Sequence, residues 1–161
     1  VPELADGRRC KAKAGCSAAE SWAWHRALIA TKSDLYDPRV ISRIWRGESL
    51  SAADYVDLLA MRRAMIAGFE RRVAPYDALV APTVAIIPPV IADLADDAAY
   101  TRANLLSLRN CTLINTLDGC AISLPCDREG DAPVGLIVAA AGGLARRLLQ
   151  LVGRVERIVR G

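Results

Sequence analysis

Histidine is almost missing from this sequence: His25 is the only one in 161 residues. That leaves no second imidazole to pair with a nucleophilic Ser or Cys, and no His set for a metal. His25 itself falls inside a predicted helix beside Trp24, where a packed or surface role is expected rather than base catalysis. Cysteines do not fill the gap. The five thiols (Cys10, Cys16, Cys111, Cys120 and Cys126) come no closer than C-x5-C, wider than the short pairs zinc requires. No metal and no cofactor is implied. An odd cysteine count without a secretory leader leads to the expectation of reduced thiols and a cytoplasmic location.

Aromatic residues make up only 5%, and the arginines are dispersed. A nucleic-acid binder gathers its basic residues on one face and adds stacking rings, so nucleic acid is not an expected partner. The one dense basic run, Arg8 to Lys13, reads as a solvated tail. No apolar run reaches the roughly 18–20 residues that a helical membrane span needs. There is no Gly-Lys-Ser/Thr phosphate loop. Gly142-Gly143 ahead of a helix is explained by a strand-to-helix turn.

What the chain does have is apolar residues: 53% of the total, with mean hydropathy +0.21. Such a surplus implies either a large core or a face meant for other protein. The charge balance is mild, 21 basic against 18 acidic residues.

Along the chain, residues 1–16 show no period and read as an irregular segment. Ser17 to Glu20 has the pattern of a capping box, opening a helix to about Lys32 with Trp22, Leu28 and Ile29 on its buried side. Asp37-Pro38 starts a short helix carrying Val40, Ile41, Ile44 and Trp45, with Gly47 as its stop. Ser51 to Asp54 opens the longest helix, to about Val73. Its stripe is Tyr55, Leu58, Leu59, Met65, Ile66, Phe69 and Val73. After Pro75 come a buried strand at Asp77–Pro82, a loop over 83–96 and a helix from about Asp97 to Leu117. Strands at Cys120–Pro125 and Val134–Ala139 follow, then a helix from about Leu144 to Arg160. The fold class expected is α/β: a mixed sheet of about three or more strands, its near-continuous apolar strands covered by helices. Three strands make a meagre sheet.

Composition and spacing alone offer no catalytic constellation. Cys120 and Cys126 flank a strand without a base to activate them, and an independent Cys hydrolase is disfavoured.

Three stretches carry a resemblance. Tyr36-Asp37-Pro38-Arg39-Val40 through Arg43-Ile44 is one, followed by Ser51 to Tyr55. Tyr76-Asp77-Ala78-Leu79-Val80-Ala81-Pro82-Thr83 is the second. The third and most specific is Asn115-Thr116-Leu117-Asp118-Gly119-Cys120-Ala121-Ile122-Ser123-Leu124-Pro125-Cys126, continuing to Ala132-Pro133-Val134-Gly135-Leu136. Together they resemble the C-terminal region of the amidase signature family, over about residues 17–160. Residues 17–161 are accordingly expected to form the C-terminal part of an amidase-like α/β domain.

The resemblance implies hydrolysis of a carboxylic amide to acid and ammonia by a Ser–Ser–Lys set, with an oxyanion held by a Gly/Ser-rich loop. That machinery lies upstream of the matching region in the family. Nothing here matches the loop, and Lys11, Lys13 and Lys32 do not occupy the catalytic lysine's context, so no catalytic residue is assigned. The resemblance further implies that Pro82, Thr83, Asn115, Asp118 and Cys120 wall the acyl pocket. Together with Val at position 1, it leads to the expectation of an amidase fragment or subunit, inactive alone. Its partner would be the missing N-terminal amidase region or a second copy of itself, and it would meet a small-molecule amide only when completed. The alternative is a non-catalytic interaction or dimerisation module, with neither nucleic acid nor membrane as partner.

Overall fold

A computed structural model describes residues 15–128 and 130–159. The basic run Arg8 to Lys13, Cys10 and most of the expected irregular segment lie outside the described residues. The chain divides into two compact units, Val1–Gly68 and Phe69–Gly161. The boundary falls within a continuous helix, so no break in composition marks it.

In the first unit, helix α1 spans Gly15–Lys32. It starts earlier than the sequence suggests, which places Ser17 in its first turn rather than at its cap. Glu20, expected to close a capping box with Ser17, instead accepts a hydrogen bond from the Tyr55 hydroxyl at 3.1 Å. That bond, with lesser contributions from desolvation and from negative charge nearby, raises the Tyr55 pKa above its ordinary value of 10.0. A 3-10 turn at Ser33–Leu35 leads to α2, Pro38–Ile44. Its start is as anticipated. The Asp37 carboxylate accepts from the backbone N–H of Arg39 (2.7 Å) and of Val40 (3.3 Å), and Pro38 fills the first turn, where no N–H is needed.

Ile29, Ile41 and Ile44 form the core of this unit, with Trp22 and Tyr36 packed on it. Leu28, expected inside, is 45% exposed. Next comes the 3-10 turn Trp45–Gly47. Gly47 is more than a helix stop: it is buried, and an added Cβ would overlap the Ala18 carbonyl oxygen of α1. The missing side chain is what lets this turn lie on α1. Helix α3, Ala52–Val73, opens with a reciprocal cap. The Ser51 hydroxyl accepts from the Asp54 N–H at 3.1 Å, and the Asp54 carboxylate accepts from the Ser51 N–H at 3.2 Å. Leu58, Met65 and Phe69 are the buried members of its stripe.

The second unit is a three-stranded sheet between two helices. Strands β1 (Leu79–Pro82), β2 (Cys120–Pro125) and β3 (Gly135–Ala140) lie in the order β1-β3-β2. Both pairings are antiparallel, so the mixture of directions expected of the sheet does not occur in the ladders of these three strands. A short 3-10 turn at Ile91–Leu94 interrupts the loop before α4, Asp97–Thr116. The chain ends in α5, Ala145–Val159. Alternation along the strands sorts the cores. Leu124, Val138 and Ala140 pack with Leu148 and Val152 of α5 on one face. Ile137 and Ala139 pack with Ile114 of α4 on the other. Only β3 is buried on both faces. The run Asp77–Pro82, expected as a buried strand, forms at Leu79–Pro82 an edge strand with Val80 61% exposed.

Gly47→Ala is expected to destabilise the chain by about 1–3 kcal/mol, because backbone rather than a mobile side chain opposes the new methyl. Gly153→Ala, in α5 where an added Cβ meets nothing, should gain roughly 0.5–1 kcal/mol from helix propensity. Urea unfolding read by circular dichroism checks both. Equal midpoints would remove the close approach at Gly47.

Candidate functional site

The five residues expected at a pocket wall fall at two ends of the sheet. Pro82 and Thr83 lie at the end of β1, opposite the start of β3. Asn115 and Asp118 lie at the end of α4, and Cys120 opens β2 opposite Ala140 at the far end of β3. The four steps along β3 from Leu136 to Ala140 rise by about 3.3–3.4 Å each, so Pro82 and Cys120 stand roughly 13 Å apart along the sheet.

The Pro82–Thr83 end carries a polar cluster. The Thr83 N–H donates to the Gly135 carbonyl at 2.7 Å, extending the β1–β3 ladder by one bond. Thr83 Oγ1 and Ser123 Oγ are 2.6 Å apart, with either atom able to donate. These hydroxyls belong to strands on opposite sides of β3. They meet because the residue between them is Gly135, whose Cβ would fall 2.7 Å from each hydroxyl oxygen. From α4, Asn110 Nδ2 donates to the Pro82 carbonyl at 2.6 Å, and the Cys111 thiol lies 3.9 Å from the Thr83 carbonyl. The resemblance named Pro82 and Thr83 as wall residues and did not single out Asn110, Ser123 or Gly135, which the structure places beside them. The signal was there: Ser123 is the one hydroxyl in an otherwise apolar strand, and Gly135 opens the strand beside it.

The other end is explained by chain termination. The Gly119 N–H donates to the Ile114 carbonyl and the Asp118 N–H to the Asn115 carbonyl, with Asp118 at φ 56°. This is a Schellman motif with a left-handed residue just past the helix. The Cys120 thiol points along the backbone, 3.5 Å from the Ala141 carbonyl. Asn115, Asp118 and Cys120 thus build the α4–β2 corner, whatever else they touch.

His25 Nδ1 sits 2.8 Å from the Tyr36 hydroxyl, and the rings meet edge to face at 5.7 Å. Neither serine nor cysteine is among its described hydrogen-bond partners. Cys111, Cys120 and Cys126 are free thiols. Among the described residues, no group of three or more His, Cys, Asp or Glu could hold a metal ion. Nor, among them, is any helix long and apolar enough to cross a membrane.

Gly135→Ala is expected to separate the two hydroxyls and cost about 1–3 kcal/mol. Ser123→Ala, which only deletes the hydrogen bond, should cost about 1 kcal/mol. Thermal unfolding of both variants checks the order. A neutral Gly135→Ala would contradict the packing described.

The chain can now be set beside known proteins. Three solved structures share its fold. An amidase crystal structure superposes with TM-score 0.71 at 22% identity, covering 87% of this chain and 33% of the other. A variant of the Kluyveromyces lactis allophanate hydrolase gives TM-score 0.75 at 22% identity, covering 92% and 24%. A 6-aminohexanoate cyclic dimer hydrolase gives 0.64 at 23% identity, covering 86% and 32%. The chain therefore spans about a quarter to a third of the length of each. No curated protein matches it in sequence. A family profile described as Amidase matches residues 4–149, most of the sequence, and the chain belongs to the amidase family.

Proposed function

We propose that this chain is the C-terminal part of an amidase, hydrolysing a carboxylic amide to acid and ammonia only when combined with the family's Ser–Ser–Lys region. The observation that carries the reading is a pairing of two facts. The family profile covers residues 4–149, yet the solved relatives are three to four times longer than the stretch they share with the chain. Among the described residues, no serine is hydrogen-bonded to a lysine or a histidine, the kind of pairing that activates a serine for acyl transfer.

In this role the chain contributes scaffold and one wall. Of the five wall residues implied by the resemblance, Pro82 and Thr83 suit the task best. Their hydroxyl and carbonyl groups are fixed from β2 and α4, and a site held from several rigid elements keeps its geometry. Asn115, Asp118 and Cys120 serve first to turn the chain from α4 into β2.

The alternative, a non-catalytic module that pairs with a second copy, draws support from the two edge strands of the sheet. Such edges template pairing with another chain.

The test is an ammonia-release assay on short aliphatic and aromatic amides. It would use the purified chain alone, then the chain mixed with a polypeptide bearing the Gly/Ser-rich loop and catalytic lysine. The expected result is no turnover alone and turnover within the ordinary enzyme range, about 1–1000 per second, on mixing. Thr83→Val in the mixture should raise KM more than it lowers kcat. Turnover by the chain alone would overturn the proposal. A stable homodimer that gains nothing from the added polypeptide would favour the second reading.

A further inference from the structure

From Val84 to Ala92 the chain has no charged or hydrogen-bonding side chain, yet much of this stretch faces solvent. Ile87, Val90 and Ile91 are 71%, 65% and 87% exposed. Large apolar side chains grouped on a surface in this way mark a contact with another molecule.

The backbone here is stiff. The rings of Pro88 and Pro89 hold φ near about −65°, and each biases the residue before it, Ile87 and Pro88, to extended conformations. Val90 continues the same geometry at φ −66° and ψ 131°, close to polyproline II. The 3-10 turn Ile91–Leu94 then ends the stretch. A polyproline II helix repeats about every three residues and rises about 3.1 Å per residue, so Ile87 and Val90 lie on one ridge, about 9 Å apart. Pro88 and Pro89 have no N–H to offer a neighbouring strand, so the stretch cannot extend a sheet. Recognition must pass through side chains on a preformed backbone, the mode by which grooves lined by aromatic rings take proline-rich segments.

We propose that the ridge of Ile87 and Val90 docks into an apolar, aromatic-lined groove on the polypeptide that carries the amidase nucleophile, and so helps join the two. The proposal rests on the reading of the chain as one part of an amidase. Under that reading the nucleophile lies against Pro82 and Thr83. The stretch leaves the sheet directly after Thr83, whose N–H makes the last ladder bond to Gly135, so it emerges at the end where that polypeptide sits. A preformed segment loses little conformational entropy on docking, which suits it to anchor such a contact. A second copy of the chain is a poorer occupant, because edge-to-edge pairing would use β1 or β2 rather than a stretch interrupted by two prolines.

The test measures association of the full chain with the polypeptide bearing the Gly/Ser-rich loop and catalytic lysine. Sedimentation velocity at several concentrations reads binding, and ammonia release by the mixture reads turnover. Ile87→Ser and Val90→Ser should each weaken association about tenfold, the loss expected when a packed apolar anchor is removed. Pro89→Ala, which stays apolar but frees the backbone, should weaken it severalfold. Leu149→Ser removes a side chain of comparable exposure, 59%, from α5, and should leave association within about twofold. All four positions are exposed, so unchanged far-UV circular dichroism separates a lost contact from a lost fold. The proposal is overturned if Ile87→Ser and Val90→Ser weaken association no more than Leu149→Ser does. It is also overturned if they act instead on self-association of the chain alone, which would make the occupant a second copy. If the unaltered chain does not associate with the polypeptide, the amidase reading falls too, whereas association and turnover indifferent to both serine variants overturn the docking ridge alone.

Discussion

Strand β3 is hydrogen-bonded along both sides, and the second unit depends on that double pairing. Four of its six residues, Ile137 to Ala140, are buried. Alternation sends Val138 and Ala140 toward α5, and Ile137 and Ala139 toward α4. A single strand therefore nucleates both cores, and β1 and β2 are held through it rather than by each other. Their only direct link of note is the hydroxyl pair that reaches over Gly135. The consequence, among the described residues, is a sheet with a fully paired centre and two edges without a strand partner. A free edge is a liability that folded proteins usually cover, and here the edge strands add exposed Leu79 and Val80. Under the proposed function, further amidase polypeptide would cover these edges.

Close backbone approaches set the local geometry elsewhere. Gly47 on Ala18 and Gly135 beneath two hydroxyls are both positions where one added carbon has nowhere to go. At Gly47 the approach pins a turn to a helix. At Gly135 it joins the outer strands. Neither contact contributes much buried area. Each acts by letting larger elements come close enough for dispersion and burial to operate.

Much of this was legible in the sequence, because the signals were local. Asp37-Pro38 and Ser51 with Asp54 are caps with a defined chemistry, and each starts a helix in the structure. The strand over Cys120–Pro125 was bounded by the turn at Asp118-Gly119 and by Pro125, and the structure places it there. The misreadings were of tertiary origin. Ser17 and Glu20 form a plausible capping box in isolation, but the Tyr55 hydroxyl from α3 takes the Glu20 carboxylate and the helix begins two residues sooner. Leu79–Pro82 is apolar enough to be buried, and only the strand order shows it to be an edge. The resemblance named five wall residues from two separate motifs. Sequence spacing could not show that Pro82 and Thr83 lie at one end of the sheet and Cys120 at the other, since that depends on which ends of β1, β2 and β3 align.

The central claim is that this chain holds one portion of an amidase sheet, open at both edges until further polypeptide pairs with it. Hydrogen–deuterium exchange of the backbone amides in β1, β2 and β3 tests it most directly. In the chain alone, at a concentration where it is monomeric, the β3 amides should exchange slowly. The β1 and β2 amides that face away from β3 should exchange as fast as solvated loops. Adding the polypeptide that carries the Gly/Ser-rich loop should slow the edge amides selectively. Edge amides already protected in the monomer, or unchanged by that addition, would contradict the account.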